Sequence, residues 1–235
     1  MFSWMEATRS RIQTLKKEGC FDSWPKQKTE SITFFIYPDL VVPNNWIEKR
    51  TTIYKINADK FGINPPKVIF FVYSSIEIGK KMGLIPAITF VKEKEIHGHI
   101  NQSPGHELTH VILGEINTSE NLPANGLWAE GACVYFDGTN TDRKKHALSL
   151  NLGDVVIDTP WIHWRKNFPD NLYPLAGSII QYCIGKYGWP DVLNYIKELE
   201  NFGANDETLC LKIFHVSYLE LQNGWKVWLK KVEAG

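Results

Sequence analysis

The residues with the clearest potential for chemistry lie at positions 106–110, which read HELTH and have the pattern H-E-x-x-H. Residues four apart lie on one face of a helix, so the imidazoles of His106 and His110 can reach a single metal ion. Glu107 lies between them and can act on a water that the metal activates. Glu130 follows His110 with nineteen residues between them. Two His and one Glu predict a three-ligand zinc site with an open position, which is typical of hydrolases rather than of structural zinc sites.

The sequence around the motif predicts a short helix. Ser103 followed by Pro104 is the preferred order of an N-cap residue and a first helical residue. Residues 106–113 are apolar or belong to the motif, and Gly114 is expected to end the helix. The alternative is a helix with two solvated or buried His and no metal, but the independent start signal favours the metal site.

Residues 106–113, followed by residues 127–136 (LWAEGACVYF), resemble the paired helices of gluzincin metallopeptidases, in particular the peptidase MA-like family. That family combines an H-E-[LF]-[TA]-H-x-[IL] helix with a W-[LF]-x-E-G-x-A-x-[YF] helix. Residues 173–188 and 214–225 resemble its later helices, so the likeness covers about residues 30 to 230. The resemblance implies a zincin-like fold and one Zn²⁺ per chain, with three ligands: His106, His110 and Glu130.

The resemblance also implies a zinc-dependent peptidase. Glu107 is expected to accept the proton of the attacking water as general base and to return it to the leaving amine. The metal is expected to polarise the scissile carbonyl. Tyr173 is the candidate for a further donor to the oxyanion, and a buried Tyr that packs its helix is the alternative interpretation.

Two departures from the family pattern bear on this interpretation. Thermolysin-like members orient their ligands with an Asn just before the metal-binding Glu and an Asp four residues after it, whereas this chain has Ala129 and Val134. The G-x-M-E-N segment of aminopeptidases does not precede His106, which favours an endopeptidase. Two alternatives stay open: a zinc hydrolase of a non-peptide amide, and a latent or non-catalytic binding module on a zincin fold.

Composition limits the partners of the chain. Its 235 residues include 26 basic and 26 acidic side chains, which gives no basic field for nucleic acid. No apolar run approaches the ~18 residues of a membrane span, so no transmembrane span is expected. The partner that the resemblance implies is a peptide or protein substrate. The oligomeric state is left open. Residues 1–20 lack the apolar stretch of a signal peptide, which favours the cytoplasm, or export if a leader has been removed.

The element pattern predicts an α+β fold, and the resemblance implies that this fold is zincin-like. It consists of an N-terminal helical segment (1–22), docked on a single peptidase domain (23–235). That domain comprises an α/β lobe (23–101) with a small mixed sheet and a mainly helical lobe (102–235). Strands are predicted at residues 31–37, 67–73, 87–91 and 95–100. Helices are predicted at residues 43–61 and 75–82, at the motif, around Glu130, and from near residues 142, 173, 190 and 217. A capping box, Ser217 with Glu220, opens the last helix.

The segment from Ala87 to Ile100 is expected to border the metal cleft as an edge strand, to which an extended peptide can add through main-chain hydrogen bonds. His97 and His99 lie on one face of this segment. An exposed edge-strand pair is favoured for them over a substrate contact. Three tryptophans are candidates for an apolar subsite, although packing is favoured for the first: Trp128, Trp161 and Trp164. Cys133 and Cys183 are expected to be buried as small hydrophobes.

Overall fold

The computed structural model describes residues 3–85, 87–117, 126–149, 172–199 and 206–231. The helices within these ranges are α1 (Ser3–Lys17), α2 (Trp46–Phe61), α3 (Ile76–Lys81), α4 (His106–Ile116), α5 (Gly126–Tyr135), α6 (Arg143–Leu148), α7 (Leu172–Tyr187), α8 (Trp189–Glu198), α9 (Asp206–Leu209) and α10 (Tyr218–Lys230). A π-helical turn, Cys210–Phe214, follows α9. The strands are β1 (Lys26–Lys28), β2 (Ile32–Ile36), β3 (Val68–Tyr73), β4 (Ile88–Phe90) and β5 (Glu95–His99). The chain divides into two compact units, Met1–Val111 and Ile112–Gly235.

The first unit is built on a five-stranded mixed sheet with the order β1-β2-β3-β5-β4. Strands β2, β3 and β5 are parallel, and β1 and β4 join them as antiparallel outer strands. The central strand β3 reads VIFFVY, a nearly continuous run of β-branched and aromatic residues that is typical of a strand covered on both faces. The predicted α+β class with a small mixed sheet is therefore confirmed.

One face of this sheet is covered by α1. The residues Ile12 and Leu15 of α1 are buried in a cluster with Phe21, Trp24, Phe71, Tyr73, Leu84, Ile88 and Phe90. Two ion pairs of α1 residues lie at the border of the cluster. Arg9 pairs with Glu93 at 2.5 Å, and Lys16 pairs with Glu95. The predicted N-terminal helix therefore docks on the sheet.

The opposite face of the sheet packs against α2. Phe34, Phe70 and Ile96 lie side by side in register on β2, β3 and β5, and Thr89 of β4 is paired with Ile96. Trp46 of α2 packs edge-on against Phe34 and Phe70, with ring centroids 5.8 and 6.1 Å away. Strand β4 therefore turns Ile88 and Phe90 towards α1 and turns Thr89 to the other side.

The second unit consists of helices in the residues that the structure describes. Helices α5 and α7 approach closely because Gly131 has no side chain: a Cβ there would lie 2.5 Å from the carbonyl oxygen of Ala176. Trp225 of α10 is buried and donates from Nε1 to Oγ of Ser178, at 3.0 Å. The predicted capping box of Ser217 and Glu220 is present at the start of α10.

Other predictions agree or differ in detail. Cys133 and Cys183 are buried free thiols, as expected. Among the described helices, none is both long and apolar enough to cross a membrane. The expectation that Gly114 ends the motif helix is wrong, because α4 continues to Ile116. Burial of Leu113 and Ile116 stabilises this last turn against the ~1 kcal/mol helix cost of a glycine.

Candidate metal centre

The motif residues occupy the first turns of α4. The helix begins at His106 rather than at Pro104, since the first carbonyl to accept a helical hydrogen bond is that of Gly105, from the Thr109 amide at 2.9 Å. The hydroxyl of Thr109 also donates to this carbonyl, at 2.8 Å, and accepts from the Asn57 amide of α2, at 3.1 Å. Thr109 is fully buried, so it anchors the motif helix against α2.

His106, His110 and Glu130 form a group that could hold a metal ion. Each offers one ligand atom, and these atoms lie within 4.8 Å of one another. The imidazole rings of His106 and His110 are one helical turn apart, with centroids separated by 5.0 Å. All three side chains are half-buried. In a tetrahedral site with bonds of about 2.0 Å the donor atoms lie about 3.3 Å apart, so this group would have to tighten to close around an ion.

The chemistry of the donor set fits zinc. Two neutral imidazole nitrogens and one carboxylate oxygen are ligands that Zn²⁺ prefers, and three protein ligands leave the fourth position of a tetrahedral site open. Glu130 reaches this group from α5, a helix whose other residues near it are almost all apolar and buried, including Trp128, Gly131 and Ala132. A carboxylate at this place matches a metal ligand better than it matches packing.

Glu107 follows His106 in α4 and is not one of the three residues of this group. Glu107 as a whole is only 6% exposed, and its carboxylate accepts hydrogen bonds on both oxygens. The hydroxyl of Thr89 donates to Oε2 at 2.6 Å, and the amide of Gln102 donates to Oε1 at 2.7 Å. Each oxygen of the Glu107 carboxylate is therefore held by one hydrogen bond. Thr89 and Gln102 were not identified from the sequence as candidate site residues, because neither belongs to a motif.

His97 and His99 are not an exposed edge-strand pair, so that interpretation is wrong. Strand β5 lies between β3 and β4, and His97 is fully buried. Its Nδ1 is 2.7 Å from the Tyr73 hydroxyl, and its Nε2 is 2.8 Å from Glu95. Burial lowers the pKa of His97, although the hydrogen bond to Glu95 opposes this. His97 is therefore a neutral part of the core.

His99 is half-buried and lies nearer to the motif. Burial lowers its pKa, and the negative charge of Glu107 acts in the opposite direction. Its backbone amide donates to Oε1 of Gln102 at 3.3 Å. This hydrogen bond links His99 to Gln102, the residue whose side-chain amide donates to Glu107.

The remaining candidate residues are Tyr173 and three tryptophans. Tyr173 is the second residue of α7 and is half-buried, and its role as an oxyanion donor stays a prediction. Trp128 is 1% exposed and packs on Tyr195 with ring centroids 4.4 Å apart, so its expected packing role is confirmed. Trp161 and Trp164 lie outside the described residues.

Comparison of the chain with family models, with curated proteins and with solved structures finds no match.

Proposed function

We propose that this chain is a zinc-dependent peptidase of the gluzincin type, acting within peptide chains. The observation that carries the proposal is the grouping of His106, His110 and Glu130, with ligand atoms within 4.8 Å of one another. Glu107 follows His106 directly in the same helix. A ligand set with one open position and an adjacent base that does not bind the metal is the arrangement of hydrolytic zinc sites. A zincin-like fold belongs to the same proposal.

The ligand set determines what a bound metal can supply. Two neutral imidazoles and one carboxylate leave a net positive charge on Zn²⁺, which would lower the pKa of a coordinated water and polarise a substrate carbonyl. Glu107 then accepts the proton of the attacking water, and it returns that proton to the nitrogen of the leaving amine. The low exposure of Glu107 keeps bulk water from competing for its remaining lone pairs.

Strand β4 supports a peptide as the substrate. It is one of the two outer strands of the sheet, and it carries Thr89, the residue whose hydroxyl contacts Glu107. An extended peptide can add to such an edge through main-chain hydrogen bonds, which tolerate many side chains. Recognition through the main chain suits a substrate whose reacting group is itself a backbone amide.

The test is metal-dependent cleavage of a peptide library. Zinc-loaded protein should cleave internal peptide bonds, lose this activity with a chelator and regain it with added Zn²⁺. His110→Ala should lose both the zinc and the activity, because two ligands hold the ion far more weakly than three. The matched control is His146→Ala, which removes an exposed imidazole from α6 and should change neither.

Two results would contradict the proposal. Zinc that stays at one equivalent per chain in His110→Ala would refute the ligand set. Zinc-loaded wild-type protein that cleaves no peptide would refute the peptidase, and would favour a hydrolase of a non-peptide amide or a binding module that has kept its metal.

A further inference from the structure

The Glu107 carboxylate is fixed at both of its oxygens by donors from two different parts of the first unit. Thr89 belongs to the outer strand β4, and its hydroxyl is 2.6 Å from Oε2 and 3.3 Å from the Glu107 backbone carbonyl oxygen. Gln102 belongs to the turn that leads from β5 to α4, and its Nε2 is 2.7 Å from Oε1. Hydrogen bonds to an ionised acceptor are among the stronger ones in proteins, so the pair restricts the carboxylate in both position and plane.

Gln102 is itself held in a single orientation. Its Oε1 accepts from the His99 backbone amide at 3.3 Å, which turns Nε2 towards Glu107. Its backbone carbonyl accepts from the guanidinium of Arg50, a buried residue of α2 that stacks on the Trp46 ring, 3.4 Å from its centroid. The Trp46 indole donates in turn to the carbonyl of Ile100, at 2.7 Å, so α2 fixes the turn at two points.

Gly98 of β5 provides the space that this orientation needs. A Cβ at residue 98 would lie 2.4 Å from Oε1 of Gln102 and 2.8 Å from the Phe70 ring. Strand β5 is extended there, so the glycine is required by the close approach of the Gln102 amide and not by backbone conformation. The fold thus accommodates the glutamine at the place where it meets Glu107.

Thr89 is fixed through the neighbours on its strand. Ile88 and Phe90 are buried in the cluster under α1, on the face of the sheet opposite to Thr89. Strand β4 therefore cannot turn about its axis without exposing two large apolar side chains. The hydroxyl of Thr89 is therefore held towards Glu107.

We propose that Thr89 and Gln102 are positioning residues that hold Glu107 as a proton acceptor, and that they govern turnover rather than substrate binding. An ionised carboxylate has about four acceptor sites, so two remain for the proton of the attacking water after these bonds are made. The inference rests on the proposed role of Glu107 as the base. It assigns a positioning role in the reaction to Thr89 and Gln102, two residues outside the H-E-x-x-H motif.

The variants that test this remove each donor with little change in shape. Thr89→Val and Gln102→Met should each lower kcat by about 10- to 100-fold, the usual effect of losing a group that orients a catalytic residue, with KM and zinc content unchanged. Thr89→Ser keeps the hydroxyl and should recover most of the kcat that Thr89→Val loses. The matched controls Thr33→Val on β2 and Gln27→Met on β1 should leave kcat unchanged.

Repeating the substitution in Glu107→Gln protein distinguishes a positioning role of Thr89 from a general effect on stability. In Glu107→Gln protein the carboxylate is already absent, so adding Thr89→Val should lower the residual rate by less than 2-fold. A role in packing alone would lower the rate by the same factor in both backgrounds. Wild-type kcat in both Thr89→Val and Gln102→Met, or a loss that appears in KM or in zinc content, would overturn the inference.

A readout that does not depend on cleavage keeps this inference separate from the proposed function. In a crystal structure of the Thr89→Val, Gln102→Met double variant, the Glu107 carboxylate should leave its single position and occupy other rotamers. A Glu107 that keeps its position there would overturn the positioning role even in a protein that cleaves peptides. Failure of the wild type to cleave any peptide would refute the proposed function alone.

Discussion

Replacement of His97 by Phe should destabilise the first unit by about 3 to 5 kcal/mol, because a buried hydroxyl and a buried carboxylate each lose a partner. The ring stack on Phe71, with centroids 4.6 Å apart and planes 8° apart, is retained. The Tyr73 hydroxyl loses its 2.7 Å contact, at about 1–3 kcal/mol, and Glu95 loses one charged hydrogen bond, at about 1.5–3 kcal/mol. Glu95 keeps its ion pair with Lys16, which limits the loss.

Urea unfolding followed by tryptophan fluorescence measures this change. Trp24 packs against Tyr73 with ring centroids 5.3 Å apart, so its emission reports on the region around His97. His146→Phe on the exposed side of α6 is the control and should shift the midpoint little. A free energy of unfolding for His97→Phe within about 0.5 kcal/mol of the wild type, the range of neutral surface substitutions, would refute the reasoning.

The same variant should alter the dependence of stability on pH. Burial lowers the pKa of His97 in the folded protein below its value in the unfolded chain. Below about pH 6.5 the unfolded chain therefore binds a proton that the folded protein does not, and the stability of the wild type falls as the pH falls. His97→Phe lacks this titration, so its free energy of unfolding should change less between about pH 7 and about pH 5.

Two further predictions concern the second unit. Gly131→Ala places a methyl group 2.5 Å from the Ala176 carbonyl oxygen, which should cost about 1–3 kcal/mol and lower the thermal midpoint. Zinc affinity should fall with it, since Glu130 is the preceding residue, and an unchanged midpoint and affinity would contradict the close packing. Ser217→Ala removes the capping box of α10 and should cost about 1 kcal/mol in urea unfolding, whereas Ser217→Asp should keep most of that stability.

Local patterns were sufficient to predict many elements and the residues of the candidate centre. The H-E-x-x-H spacing predicts two His on one helical face, and α4 places their rings 5.0 Å apart. Strands β2 and β3 and helix α2 lie within the ranges that periodicity indicated, because alternation and the 3.6-residue period reflect burial directly. The capping box of Ser217 and Glu220 was equally local.

Long-range pairing could not be predicted in the same way. The position of β5 inside the sheet depends on β4 folding back beyond it, so His97 is buried where an edge strand was expected. Thr89 and Gln102 reach Glu107 from 18 and 5 residues away in sequence, and no spacing rule links a strand hydroxyl or a turn amide to a helical carboxylate. Such contacts follow from the sheet order and from the path of the turn.

The central claim is that Glu107 acts as the base at a zinc site that it does not help to hold. It is tested most directly by the rate of peptide cleavage by Glu107→Gln at equal zinc content. The variant should keep one zinc per chain and the wild-type thermal midpoint, and should lose cleavage by several orders of magnitude. Glu115→Gln, an exposed change on the same helix, should cleave at the wild-type rate. Wild-type cleavage by zinc-loaded Glu107→Gln would contradict the mechanism.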